Sequence, residues 1–300
     1  MNLRLPGICG FASLDDLEDW RSLFCELETF QARLLAKEPQ FLDPDYTHDA
    51  LHTWSRMWEY AYAMYHLSTF RKKYIADEPL IAVDLGSGVT FFPFAVAAKG
   101  YRVVAVDVDP IVERDLALAG AVLGVPPEQV TFRLGDARKI PLGKNSVDVV
   151  YSVSVFEHIA GPQDVIQEVA RVLKPGGLFI LTIDVGTAAG HELSPSSFQE
   201  VLLQLDKCFH REAPERSVHP LRLLTDQTNR VQTRSSGAGL VRVVSRPREY
   251  LRKILCDPVR YAGLFGRIVA EHLGFFTVEP LYLTCYGFVG TPKTQSGSCI

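Results

Sequence analysis

The chain has 300 residues, 47% of them hydrophobic and 22% charged, with 18 prolines and 22 glycines spread along it. That composition is globular, with ample length for a buried core, and it excludes disordered, fibrous and staple-dependent classes. A net charge of -4 argues against nucleic acid as a partner, because phosphate backbones are held by many Lys and Arg contacts.

The first twenty residues break their apolar run at Pro6, Gly7 and Gly10 and turn acidic at Asp15 and Asp16, which makes a poor signal peptide. Nowhere do about 18 uninterrupted apolar residues occur, so no membrane partner is expected. The six cysteines form no Cys-x-x-Cys pair and no Cys/His set suited to zinc. They read as reduced thiols of a cytoplasmic protein, with no metal.

In chain order, apolar spacing predicts a helix over residues 13–37, capped by Ser13. An aromatic-rich helix follows over residues 51–70 and ends before Pro79. Short β-rich runs then alternate with helices, the signature of a parallel sheet with crossovers. The strands fall at residues 80–85, 101–108, 130–134, 147–153 and 178–183, with helices near 91–99, 110–123 and 164–173. After Gly190 the rhythm stops. A stretch punctuated by Ser, Arg and Pro runs to about Pro258, and two strands joined around Pro280 close the pattern. These boundaries divide the chain into an N-terminal helical extension (1–78), a core (79–190 plus 262–292) and an inserted acceptor or lid segment (191–261).

The chemistry is concentrated at strand ends. Asp84, Leu85, Gly86, Ser87, Gly88, Val89 and Thr90 form a Gly-rich turn between the first strand and its helix, where a ligand meets the backbone closely. The helix start beyond it offers unpaired N–H groups to an anion. Asp107 stands about 20 residues further on, the interval at which an acid accepts from a ribose diol. A dinucleotide fingerprint would need Gly where Phe91 stands, and a diphosphate gains nothing from Asp84, whereas an ammonium and a sulfonium do. After the third strand, Asp136 is placed to accept an adenine amino group.

The motifs VDLGSG, VVAVDVDP, GDARKIPL, SVDVVYSVSVFEHI and EVARVLKPGGLFILTID, in this order, resemble the class I S-adenosylmethionine-dependent methyltransferases, especially the type 11 small-molecule group. The resemblance covers about residues 80–184. It implies an α/β, doubly wound Rossmann-like sheet of seven strands, the last two a hairpin near residues 277–289. It also implies S-adenosyl-L-methionine as cofactor, held by Asp84, Gly86, Ser87, Gly88, Asp107, Val108, Asp136, Ala137 and Ser152. Thr90 departs from the family pattern, which often has a third Gly there.

An oxygen acceptor would want a general base, with His158 and Asp184 the candidates, although His158 also reads as a residue that packs locally. The aromatic cluster from Trp54 to Tyr65 reads as core packing, but Arg56, Glu59 and Tyr60 are odd core residues, so Arg56 and Tyr60 are candidates for substrate contact. The Arg-rich stretch over residues 207–260, with Arg242 and Arg246 as candidate contacts, hints at an anionic metabolite or sugar as the small-molecule acceptor of O- or N-methylation. The competing readings are an aminopropyl-type transferase on the same fold and a non-catalytic binding or scaffold protein.

Overall fold

The computed structural model describes residues 21–37, 41–42, 49–52, 55–74, 79–186, 193–212, 231–232 and 282–293. Two helices, α1 (Arg21–Lys37) and α2 (Arg56–Lys73), precede β1 (Leu80–Leu85). Then come α3 (Phe92–Ala97), β2 (Tyr101–Asp107), α4 (Ile111–Leu123), β3 (Val130–Leu134), β4 (Val147–Val153), α5 (Pro162–Val172) and β5 (Leu173–Val185). The described chain continues with α6 (Pro195–Cys208), β6 (Phe209–Arg211), β7 (Val231–Gln232) and β8 (Tyr282–Pro292).

The main path of the sheet runs β3-β2-β1-β4-β5-β8-β6, seven strands, with the two-residue β7 paired to β8 beside it. The first five are parallel, and β8 is antiparallel to both β5 and β6. The expected seven-stranded Rossmann-like architecture is thus present, its last pair on the main path being β6 and β8. The arm expected before Pro280 lies outside the described residues, as do Trp54 and the helical reading near residue 250.

Strands buried on both faces read as continuous apolar runs, and helices cover both faces here. Ala82, Val103, Ala105 and Ile180 point to the side covered by α1 to α4. Val83, Leu85, Val106 and Phe179 point to the side covered by α5 and α6. In α5 the buried residues Val165, Ile166, Val169 and Val172 form one stripe, as expected of a helix lying on a sheet. In α6 the Ser194 hydroxyl accepts from the Ser197 N–H at 3.2 Å, and Pro195 opens the helix. α6 buries Phe198, Val201 and Leu205, and β6 pairs with β8. In α2 every residue from Trp58 through Met64 is buried, the pattern of a helix enclosed on all sides. Its aromatic cluster is core packing at Trp58, Tyr60 and Tyr62, with Trp58 and Tyr62 stacked at 4.9 Å.

Candidate functional site

The strand order reverses at β1, which has β2 on one side and β4 on the other. Open parallel sheets hold ligands at such a switch point, beyond the carboxyl ends of the strands. A cleft of about 480 Å³ lies there. Gly86, Gly88 and Val106 form its floor; Asp107, Val108, Asp136, Ala137 and Arg138 form one wall; Ser154, Val155 and His158 form the other, and Arg56 reaches in from α2.

The Gly turn shapes that floor in two ways. Both glycines have positive φ, +75° at Gly86 and +48° at Gly88, a conformation costly for other residues. A Cβ at Gly86 would lie 2.4 Å from a Val155 methyl, so Gly86 lets β1 and the segment after β4 close together. A Cβ at Gly88 would meet nothing within 4 Å, because it would project into open space at the cleft.

Asp107 is held by the backbone it faces. Its Oδ2 accepts from the Gly88 N–H at 2.9 Å and its Oδ1 from the Asp109 N–H at 3.1 Å. Each oxygen keeps a lone pair for a further donor, which suits a diol. Asp109, in turn, accepts from the Ile111 N–H at 2.9 Å and caps α4. Thr90, in the place of a third Gly, accepts from the Phe92 N–H at 3.3 Å.

Asp136 is differently placed from the sequence expectation. Its oxygens take the Arg138 N–H at 2.8 Å and the Arg138 guanidinium at 2.6 to 3.1 Å, a fork that also lowers its pKa. Its acceptor capacity toward an adenine amine is therefore largely occupied. Ser152 sits wholly buried in β4 with its hydroxyl donating to the Leu85 carbonyl at 2.9 Å. Ser154, two residues on, lines the cleft instead, on a backbone with φ 49°. Asp84 and Ser87 are buried by the turn rather than on the cleft wall. Burial pushes the Asp84 carboxyl up to about 8, against the Tyr151 hydroxyl, which favours its charge.

Behind Arg56 and Ser154 lies a chamber of polar groups. Glu59, fully buried on α2, accepts from Ser154 Oγ at 2.5 Å, Thr182 Oγ1 at 2.7 Å and Ser55 Oγ at 3.1 Å. Asp184, expected at the pocket, is buried here rather than on the cleft wall and accepts from Ser55 Oγ at 3.3 Å. Burial, then the charge of Glu59, pushes it up to about 8, with Arg56 opposing. Arg56 donates to the Val153 carbonyl at 3.0 Å and stands 3.6 Å from Glu59. Burial works against its charge, but Glu59 foremost, then Tyr60, Asp184 and Glu157, raise its pKa. Tyr60 is packed against Phe91 and Phe92, 5.1 and 4.7 Å between ring centroids, and contributes to the core rather than to the cleft wall.

Thus Gly86, Gly88, Asp107, Val108, Asp136, Ala137, His158 and Arg56 come together at one cleft. Arg242 and Arg246 lie outside the described residues. Of the basic stretch, Arg211 is engaged structurally, with Asp206 at 2.8 Å and the Tyr286 hydroxyl at 2.6 Å. Ser154 and the depth of the acid cluster were missed in the sequence. The available signal was Glu59, an acid inside an otherwise apolar helix face.

Residues 83–181 match the family described as a methyltransferase domain. An uncharacterized methyltransferase of Mycobacterium leprae (strain Br4923) is 36% identical over 115 residues, 38% of this chain and 41% of that protein. The biotin biosynthesis bifunctional protein BioHC of Cellvibrio japonicus (strain Ueda107) is 34% identical over 106 residues, 35% of this chain and 20% of that protein. The chain spans less than half the length of these curated relatives. Among solved structures, the 4+2-cyclase SpnF shares the fold, with a TM-score of 0.50, 16% identity and coverage of 90% of this chain and 94% of that one.

Proposed function

Starting from the match of residues 83–181 to a methyltransferase domain, we propose that the protein is a class I methyltransferase that transfers a methyl group from S-adenosyl-L-methionine to a small-molecule acceptor, at nitrogen or oxygen. The observation that carries this reading is the open space above Gly88 beside Asp107, a cradle that a side chain would fill. The residues fit the donor. Asp107 and Val108 would hold its ribose and adenine end, Gly86 and Gly88 would admit its backbone-hugging chain, and Asp84 beneath the turn would answer its ammonium group.

Bound there, S-adenosyl-L-methionine supplies a sulfonium methyl that leaves with loss of the donor's positive charge. The chain's part is alignment and exclusion of water, for which no nucleophilic residue is needed. Val155 and Ser154 close one wall, and Arg56 covers the entrance to the acid chamber. His158 lines the cleft half-exposed, with Nε2 4.0 Å from Glu157, a position suited to passing a proton to solvent. The Arg-rich stretch over residues 207–260 supports an acceptor that carries an anionic group.

A second reading has an observation of its own. Aminopropyl transfer on this fold requires acid for a polyamine, and Glu59, Glu157 and Asp184 are acids clustered behind the cleft. Calorimetric titration with S-adenosyl-L-methionine and with its decarboxylated form, followed by a product assay with each, separates the readings. Methyl transfer with the intact donor supports ours. Binding without product supports a non-catalytic protein, and turnover only with the decarboxylated donor supports aminopropyl transfer.

A further inference from the structure

Among the described residues, the acid chamber holds one carboxyl oxygen without a donor. The Glu157 side chain is only 1% exposed, yet its Oε2 has no hydrogen-bond partner there. A buried carboxyl oxygen left without a donor is costly, so its retention calls for a reason. Every other acid of the chamber is engaged: Glu59 by three hydroxyls, and Asp184 by Ser55 and the Cys285 thiol.

Charge points the same way. Among the described residues, Glu157 is faced by Asp184 from β5 and by Glu59 and Arg56 from α2, with His158 beside it, so three carboxyls there share one guanidinium. Ser154, Val155 and His158, its neighbours in sequence, line the cleft, and the Glu157 carboxyl lies behind that wall rather than on it. In the ligand-free fold burial favours the neutral forms of Glu157 and Asp184, and a neutral hydroxyl would leave them so. An ammonium would instead pair with Glu157 and support its carboxylate form, since a buried carboxylate is retained where it is paired.

Resting on the reading of the cleft as a methyl-transfer site, we propose that the acceptor is an amine, bound as its ammonium against Glu157 and made nucleophilic by giving that carboxylate a proton. The step balances. The N–H bond of the ammonium breaks and an O–H bond forms on Glu157; the freed lone pair then forms the new N–C bond. The C–S bond breaks with its electron pair going to sulfur, leaving S-adenosylhomocysteine and the N-methylated ammonium, and the proton on Glu157 returns to water. Burial, then the neighbouring Asp184 carboxyl, raises the Glu157 pKa above the usual carboxylate range, which reduces the uphill cost of the transfer.

The experiment uses the full chain, labelled S-adenosyl-L-methionine and an extract of small metabolites, either untreated or with its amines blocked by an amine-selective acetylating ester. Label should enter the untreated extract and be lost from the blocked one. Glu157→Gln, close in shape, should lower amine methylation at least about a hundredfold, while calorimetry finds donor affinity within about twofold of the parent. Glu157→Asp should recover part of the rate, which a merely structural role would not produce. Label that survives blocking, or a Glu157→Gln protein that methylates at the parent rate, overturns the amine assignment. Absence of donor binding in the parent protein overturns the methyl-transfer reading instead, so the two failures are distinct.

Discussion

The two glycines of the turn have opposite surroundings, and replacing each with alanine should break different things. At Gly86 the methyl carbon would stand 2.4 Å and 2.7 Å from the two Val155 methyls, on a backbone with φ +75°. Overpacking of this kind costs about 1 to 3 kcal/mol, and the left-handed backbone about 1 to 2 more. Gly86→Ala should therefore lose about 2 to 5 kcal/mol of stability. At Gly88 the backbone cost is similar, but the methyl carbon meets no protein atom within 4 Å. Gly88→Ala should lose only about 1 to 2 kcal/mol, yet its methyl occupies the space proposed for the donor. Each tenfold loss of affinity corresponds to about 1.4 kcal/mol, and at least one such step is expected. Thermal melts report the first quantity and calorimetry with S-adenosyl-L-methionine the second. If Gly88→Ala binds the donor as the parent does, or melts below Gly86→Ala, the reasoning about the floor of the cleft is wrong.

Asp107→Asn should weaken donor binding by about 1 to 3 kcal/mol, since it removes the charge from an acceptor already oriented by two backbone N–H groups; unchanged calorimetric affinity in a folded variant would remove the ribose assignment. Asp136→Asn should change donor affinity by less than about threefold, because Arg138 already occupies both oxygens, and a tenfold loss would show that Arg138 yields to the ligand. Asp184 has a folded pKa of about 8 against an ordinary 3.8. Its protonated form is therefore the favoured one in the fold, and its contribution is complete on the acid side of the unfolded value and is lost as pH rises through 8. The ligand-free parent should lose more melting temperature between pH 5 and pH 8 than Asp184→Asn does, and parallel curves for the two would contradict the burial argument.

The parallel half of the sheet was legible because its signals are local. The runs LIAVDL and YRVVAVD are apolar enough for strands covered on both faces, and a Gly turn followed by an acid at a fixed interval marks a switch-point cleft. Ser152 and Ser154 show where that legibility stops. Both lie at the end of β4, and the positive φ at Ser154, which no pattern announces, decides which of them reaches the cleft. Asp136 fails for a related reason, since the Arg138 that engages it is two residues away and could as easily have faced solvent. Glu59 stands out in the sequence as an acid in an apolar helix face, but its three hydroxyl partners come from residues 55, 154 and 182, and such convergence has no signature in spacing.

That convergence has a consequence for how the chain folds. The pairs β1–β2, β2–β3 and β4–β5 join strands that follow one another along the chain, so their contacts are of shorter range than those of the Glu59 node. The node at Glu59 is the opposite, since it joins α2 to positions 95 and 123 residues distant along the chain. It can close only when the N-terminal helix settles on an already formed sheet, with β8 bringing Cys285 to the same place. Until then Ser154, Thr182 and Asp184 face a gap that only water can fill. Conservative substitutions at Ser55 and Glu59 should consequently quicken unfolding while leaving the refolding rate nearly untouched. A fragment beginning at residue 79 should stay expanded, because the helix that completes its polar interior would be missing.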